Sequence, residues 1–432
     1  MSEQIFTDNF KAQSFWWDRS PRPEPGGEAL LEKADVVIVG SGYTGLCAAI
    51  QTGRGGQHTV VVDAEAAGWG CSSRNGGQVS TSIKPGYHDL KKKYGHELAF
   101  AISKEGHNAL QWIGNFIEQE GIDCDFKRCG RFYAAHTAKH FVGLTEEFEK
   151  PVKGLETDSF IVPRSEQHTE IGSDLYYGGV VHPRHASLDP GRYHQGLLER
   201  AQQASVDVVS NCKVDAIMPV QGGFELQTQK GKITAKDVVI ATSGYSGKLS
   251  PWHQRRIIPI GSYVIATEPL PDELIRKLIP NDRMITDTQK LVVYYRTCTD
   301  RKRIIFGARV SKKESDARSS APAVYQELLK RFPVLEDFRI SHSWMGFVGY
   351  TFDEMPHLGK HNGIYYSMGY CGSGVSLATY FGTRIGQQVL GLEEGRSPLE
   401  QITFQARPYY KGNPWFLAPT IRYYKWLDNR KG

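Results

Sequence analysis

The chain has 432 residues, 40% of them hydrophobic and 23% charged, which leaves room for two domains with sizeable cores of the kind a soluble enzyme has. No stretch of about 18 apolar residues runs free of charges and glycines, which excludes an integral membrane segment; the net charge of +5, with basic runs as short as Lys91, Lys92 and Lys93, excludes nucleic acid as the partner. Seven scattered cysteines without C-x-x-C spacing fit a reducing cytoplasm and give no metal site to expect.

The polar, acidic start MSEQIFTDNFKAQ is no secretory signal. Residues 1–33 read as an N-terminal arm that packs on the body through Trp16 and Trp17. From Ala34 to Val39 an apolar run leads into Gly40, Ser41, Gly42, Tyr43, Thr44 and Gly45. An amphipathic stretch follows, then a second apolar run that ends at Asp63. Together they make one βαβ unit that binds an ADP-containing dinucleotide. The first glycine allows the tight turn, the second lets backbone approach a pyrophosphate, and the third lets helix and strand pack closely. The phosphates sit on the helix N-terminus, where N–H groups and the dipole favour negative charge. Asp63 stands where an acid accepts hydrogen bonds from the adenosine ribose.

Residues 64–80 carry no apolar period of either kind. Ala64, Ser72, Ser73, Arg74, Asn75, Gly76, Gly77 and Gln78 offer backbone N–H groups, hydroxyls and one guanidinium. Such a loop suits a second wrap around a pyrophosphate and the edge of a flavin ring, which tilts the choice toward FAD. From about 86 to 120 the period is helical with glycine breaks, and from 126 to 180 short β-like runs alternate with charged turns. ASLDPGRYHQGLLERAQQ reads as a helix with Asp189 near its cap and Pro190 in its first turn. Short strands follow, then the buried strand VVIATSG. Residues 257–340 hold strand-like runs rich in β-branched and aromatic residues, and the helix AVYQELLKRF. GIYYSMG, GYCGSG and VSLATYFGTRIGQQVLG read as strand, turn and helix, with Gly372, Ser373, Gly374 and Val375 at the helix start. There is no internal repeat.

These motifs carry a resemblance. GSGYTGLCAAI, GWGCSSRNGGQ, VVIATSGYSGKLSP, YYR and GYCGSGV, with SFWWDRSPRP and NPWF at the two ends, resemble the FAD-dependent oxidoreductases of the D-amino-acid oxidase superfamily, and within it the γ-glutamylputrescine oxidoreductase type. The likeness spans almost the whole chain. It implies an α/β fold, α+β taken as a whole: a doubly wound, Rossmann-like FAD-binding domain with a second, sheet-based substrate domain. The expected boundaries are 34–85, 181–256 and 341–395 for the FAD-binding domain, 86–180 and 257–340 for the substrate domain, and 396–432 for a C-terminal segment packed on the body.

The resemblance also implies site residues. Val214 contacts adenine through its backbone, and Thr242 and Gly244 pass near the ribityl and phosphate region. The helix start at Gly372 to Gly374 points at the pyrimidine side of the flavin ring, where its positive end stabilises the charge left by reduction. Ser373 stands where many relatives carry histidine. No cysteine lies in SHSWMGFVGYTFDEMP and no histidine between Asp63 and Tyr87, so non-covalent FAD is expected. On the strand KLVVYYR, residues 290, 294 and 296 share parity and face one side. In the family this sheet roofs the ring, so Tyr294 walls the pocket, Arg296 binds a carboxylate, and Lys290 holds water or oxygen near N5. The implied reaction oxidises a C–N bond of a small-molecule amine by hydride transfer, with O2 or another electron acceptor. It needs position, a dry pocket and a neutral amine rather than a protein base. The alternatives are a sarcosine, glycine or D-amino-acid type oxidase or dehydrogenase, and a non-catalytic flavin-binding protein.

Overall fold

A valine run buried on both sides organises the first half of the molecule. In this computed structural model, which describes residues 4–23, 29–81, 83–310 and 316–428, the strand Lys33–Val39 is central to an eight-stranded sheet. Thr59–Val62 and Gly231–Ile240 flank it in parallel, Asp207–Val209 lies outside the first, and Ile364–Met368 pairs in parallel with the second. Val36 and Ile38 enter one core and Val37 and Val39 the other, the two-sided burial that parallel strands require. The first face is covered by the helices Tyr43–Arg54, His96–Gln119, Pro190–Gln203 and Gly374–Val389. On the second, Val214, Leu226 and Ile233 from an antiparallel meander close the core.

The second sheet has nine strands, and its central strands alternate between two faces. Phe132, Ile285, Tyr295, Phe306, Tyr263 and Ile265 point to a core shared with the helix Ala317–Arg331, through Val324 and Leu328. Residues of the other parity, including Tyr294, Val264, Ile305 and Trp344, turn to the opposite face with Phe15 and Trp16 of the arm.

Two expected boundaries shift. Residues from 86 were expected in the substrate domain, yet Leu90, Ala99, Ile102, Ile113 and Phe116 share a core with Leu46 and Phe381 of the first domain. Residues from 341 were expected in the FAD-binding domain, yet Ile340–Tyr350 is a long strand of the nine-stranded sheet, antiparallel to Ile258–Thr267. An amphipathic period shows that a helix has a buried face but not which core receives it. The arm also gives the second sheet an edge strand, Phe6–Lys11, parallel to Ile340–Tyr350; residues 1–3 and 24–28 of the arm lie outside the described residues.

Candidate functional site

Each glycine of the first turn answers a separate spatial demand. Gly40 lies at φ +107°, where side chains are strained, and its Cβ would stand 3.0 Å from the Ala241 carbonyl oxygen. At Gly45 a Cβ would lie 1.8 Å from the Gly40 carbonyl oxygen, so the helix can sit on the strand end only without one. Gly42 caps the helix Tyr43–Arg54 in extended backbone, and a Cβ there would fall 2.8 Å from Ser72 Oγ. That helix start has no side-chain cap from its own sequence and no acid in its first turn. Tyr43 N donates to Ser72 Oγ at 3.0 Å. The helices Ala138–Phe148, Pro190–Gln203 and Ala317–Arg331 are instead capped by Thr137, Asp189 and Asp316.

Asp63 holds the turn in shape. Its Oδ2 accepts from Ser41 N at 2.7 Å and Ser41 Oγ at 2.6 Å, and its Oδ1 accepts from Glu65 N at 3.0 Å. Ala64 beside it is exposed. The chain passes again here: Cys212 N donates to the Asp63 carbonyl at 2.7 Å, which sets Val214 in the core beside Val60 and Val62. Asp63, Ala64 and Val214 therefore meet at the end of Thr59–Val62, outside the carboxyl ends of the parallel strands, where open α/β sheets take their ligands.

Sequence reasoning missed what lies under the turn. His194 donates from Nε2 to the Ser41 carbonyl at 2.8 Å and accepts at Nδ1 from Arg22 Nη1 at 3.0 Å. Burial first, and the Arg22 charge next, push its pKa down to about 3, so it is a neutral spacer between a cation and the loop. A lone histidine in a helix with good periodicity gives no sequence signal for this.

The loop from Cys71 to Gln78 is braced from outside. Trp16 Nε1 donates to the Asn75 carbonyl at 2.9 Å, Trp17 Nε1 to Ser73 Oγ at 2.8 Å, Trp344 Nε1 to the Arg74 carbonyl at 2.7 Å, and Arg296 Nη1 to the Gly77 carbonyl at 3.2 Å. Within the loop, Asn75 Oδ1 accepts from Gly77 N at 2.8 Å and Asn75 Nδ2 donates to the Ser72 carbonyl at 2.9 Å. The Arg74 guanidinium stacks 4.3 Å from the Trp69 ring and donates to Tyr245 Oη. Gln78 reaches the Tyr295 carbonyl at 3.4 Å. Two braces come from the arm and two from the nine-stranded sheet, so the loop is fixed where the two sheets meet, the rigid support that a binding shell needs.

The last helix start joins this assembly. Gly369, Cys371 and Gly372 all take positive φ, at +82°, +51° and +99°, and turn the chain into Gly374–Val389. Ser373 is its N-cap without a side-chain cap bond, and no acid lies in the first turn. Tyr370 Oη pairs with Thr44 Oγ1 at 2.7 Å, tying this turn to the first glycine turn. Gly382 and Gly386 let the two helices cross closely; a Cβ on Gly382 would lie 2.5 Å from the Thr44 carbonyl oxygen. Val375 is buried behind the turn. Gly244, after the strand Gly231–Ile240, packs on Ile340–Tyr350, where its Cβ would be 3.0 Å from Gly349 N; Thr242 Oγ1 pairs with Ser246 Oγ at 2.7 Å.

The residues expected over the ring divide. Tyr294 lies on the face opposite the helix-covered core: its ring fits between Gly76 and Gly307, whose Cβ atoms would lie 2.8 and 2.1 Å from it, and its hydroxyl pairs with Ser262 Oγ at 2.9 Å. Burial pushes its pKa up to about 12, so the phenol is neutral. Arg296 shares that face but is 3% exposed, sealed under Gly77 with its guanidinium 5.3 Å from the Trp16 ring. It braces the loop, and the expected carboxylate clamp does not reach solvent. Lys290 is a second correction. It is exposed, and the ladder begins only at Val293. Asp428 accepts from Lys290 N at 2.8 Å and Leu291 N at 3.1 Å, and Asp287 Oδ1 from Val293 N at 3.2 Å. These bonds hold residues 288–292 as a loop, so strand parity does not carry Lys290 to the site.

Comparison with known proteins agrees with this geometry. Residues 35–388 match the family model described as DAO, FAD dependent oxidoreductase. The chain is 31% identical over 359 residues to gamma-glutamylputrescine oxidoreductase of Escherichia coli strain K12, covering 83% of this chain and 84% of the relative. It is 28% identical over 408 residues to the probable oxidoreductase OrdL of Haemophilus influenzae, covering 92% and 93%. Among solved structures, glycine oxidase from Geobacillus kaustophilus shares the fold with a TM-score of 0.71 at 16% identity, over 88% of this chain and 100% of that one.

Proposed function

The chain belongs to the family of FAD-dependent oxidoreductases, and from that premise we propose that it oxidises a C–N bond of an N-substituted amine of the γ-glutamylputrescine kind. It is an FAD-dependent amine or amino-acid oxidoreductase, and its cofactor is FAD. The observation that carries the finer reading is the 31% identity to gamma-glutamylputrescine oxidoreductase along 84% of that protein. The glycine turns fit the dinucleotide: at Gly40, Gly42 and Gly45 a Cβ would meet backbone or Ser72 at 1.8 to 3.0 Å. Gly42, Ser72, Asp63 and the 372–374 turn would hold it. Bound FAD supplies a hydride acceptor.

The residues of this chain do the rest by position. Tyr294, Trp344 and Tyr350 lie on one face of the second sheet, and Tyr350 Oη is 3.8 Å from the Cβ position of Gly372. They hold the substrate against the helix-start turn and exclude water. Tyr294, with its raised pKa, stays protonated at neutral pH and takes no proton from the amine. The substrate therefore enters as the neutral amine, and the imine it becomes is hydrolysed by water.

No helix of the described residues is long and apolar enough to cross a membrane. All seven cysteines are free, which supports a cytoplasmic location as part of this proposal. FAD is held without a covalent bond. Burial pushes the Cys371 thiol at the helix-start turn up to about 11, and it donates to the Gly369 carbonyl at 3.1 Å, so it is no thiolate nucleophile. Acid precipitation should release all yellow colour to the supernatant; colour left in the pellet contradicts this.

The substrate is tested by turnover of the holoprotein on N-acylated diamines, sarcosine, glycine and D-alanine, read by peroxide and by dye reduction. Turnover of the N-acylated diamine well above the others is expected. Preference for sarcosine, glycine or D-alanine replaces the substrate, and FAD binding without turnover of any amine replaces the enzyme by a flavin-binding protein. Peroxide identifies O2 as acceptor, and dye-only turnover another acceptor.

A further inference from the structure

We propose that Lys84, rather than Arg296, is the residue of this chain that binds the acidic end of the substrate. The proposal rests on the amine-oxidising reading above. Lys84 Nζ donates to Tyr350 Oη at 2.8 Å and sits 4.6 Å from the centre of that ring. Tyr350 ends the strand Ile340–Tyr350, on the parity of Trp344, and its hydroxyl is the atom nearest to a Cβ placed on Gly372. The ammonium is thus one hydroxyl away from the turn that opens the helix Gly374–Val389.

Tyr350 is the aromatic residue in contact with it, and two further tyrosines lie within reach of its charge. Tyr133 comes from the strand Arg131–Ala134, on the parity opposite to the core residues Phe132 and Ala134, and it feels the Lys84 charge. Tyr424, from the C-terminal helix Leu417–Asp428, feels Lys84, Tyr350 and Glu354 together. Desolvation opposes the ammonium, but the hydrogen bond to Tyr350 and the Glu354 charge hold its pKa above the usual lysine value, and the lysine stays charged. Among the described residues it forms no ion pair with a carboxylate; Glu354 acts on it only as a more distant charge.

The place therefore offers an exposed cation with no carboxylate partner among the described residues, bonded to Tyr350 beside the turn at Gly372. Its complement is an anion: a carboxylate joined by methylene or amide groups to the reactive C–N bond. Arg296 is the rival cation, yet it is sealed at 3% exposure behind Gly77, whereas the Lys84 residue is exposed. No proton or electron moves in this step. Lys84 donates hydrogen bonds and positive charge to the acid, while Tyr350 keeps the ammonium in place.

The test compares two substrates, an amine bearing a free carboxylate and the same amine with that carboxylate amidated, on the wild-type, Lys84→Met and Lys84→Arg holoenzymes. Flavin content and Tm are recorded first to establish folding. The ratio of kcat/KM for acid over amide should fall about 10-fold or more in Lys84→Met, through KM, and recover in Lys84→Arg. An unchanged ratio in Lys84→Met, or a ratio lost in Arg296→Gln and kept in Lys84→Met, overturns the proposal. Titrating glutarate into the oxidised holoenzyme gives a second readout that needs no turnover. A shift of the flavin spectrum whose Kd weakens about 10-fold in Lys84→Met supports Lys84 even where no amine reacts, and that result separates failure of the amine reading from failure of this one.

Discussion

Gly45→Ala should yield a colourless, destabilised protein. The new Cβ would stand 1.8 Å from the Gly40 carbonyl oxygen and 3.4 Å from Ile38 Cγ2. These are backbone and core atoms that cannot swing aside, so the helix Tyr43–Arg54 must lift from the strand Lys33–Val39. Lifting it moves the N–H groups proposed to hold the phosphates and the crossing with Gly374–Val389 together. Overpacking of this kind costs about 3 kcal/mol, and the lost cofactor removes about 3 kcal/mol more where FAD stands at a hundred times its Kd. Flavin content should fall below about a tenth of wild type, since 1.4 kcal/mol is already tenfold in affinity, and Tm should not rise when FAD is added. Gly143→Ala is the matched control: it lies in the exposed helix Ala138–Phe148, where a Cβ meets nothing within 4 Å, and it should keep full colour. A yellow Gly45→Ala protein with wild-type Tm would show that helix and strand do not meet as described.

The protein should lose stability steeply as pH falls below neutral. Burial holds His194, His253 and His182 neutral, with pKa values pushed down to about 3, against about 6.5 in an unfolded chain. Between those values the unfolded state binds more protons. Their contribution is therefore whole above about pH 6.5 and is lost as pH drops toward 3. Each fully buried histidine costs about 2 kcal/mol at pH 5, so His194 and His253, exposed by 0% and 2%, remove about 4 kcal/mol. Asp287 works the other way. Burial pushes it up to about 6 despite Arg331 at 3.0 Å, and its protonation returns about 1 kcal/mol at pH 5. The histidines win. Denaturant unfolding at pH 7.5, 6 and 5 measures the slope, and His253→Gln should flatten it by about one proton. A stability independent of pH across that interval contradicts the buried, neutral histidines.

How much of this was legible depended on how local each demand is. The glycine turns and the Pro190–Gln203 cap could be read from neighbours in the chain, because turn geometry and capping involve residues only a few positions apart. The four braces on the 71–78 loop could not. Trp16, Trp344 and Arg296 meet that loop from 59, 270 and 219 positions away, and an indole N–H announces no partner in sequence. Tyr294 and Arg296 have the parity expected of them, but parity assigns a face and not what covers it. Lys290 failed for a different reason. The apolar run Leu291 to Val293 looks like strand, while Asp428, far along the chain, takes the N–H groups that a ladder would need. Lys84 carries no signal in the sequence, lying in a loop without period and gaining meaning only through Tyr350.

The proposed reaction is hydride transfer from an amine to a flavin held between these two sheets. Its most direct measurement is anaerobic mixing of the FAD-loaded protein with one equivalent of an N-acylated diamine, followed through the visible flavin absorbance. Bleaching in a single turnover, with one equivalent of carbonyl product and return of colour on admitting an acceptor, is the predicted result. Colour that persists with every amine in the panel, in protein shown to hold FAD stoichiometrically, would contradict it.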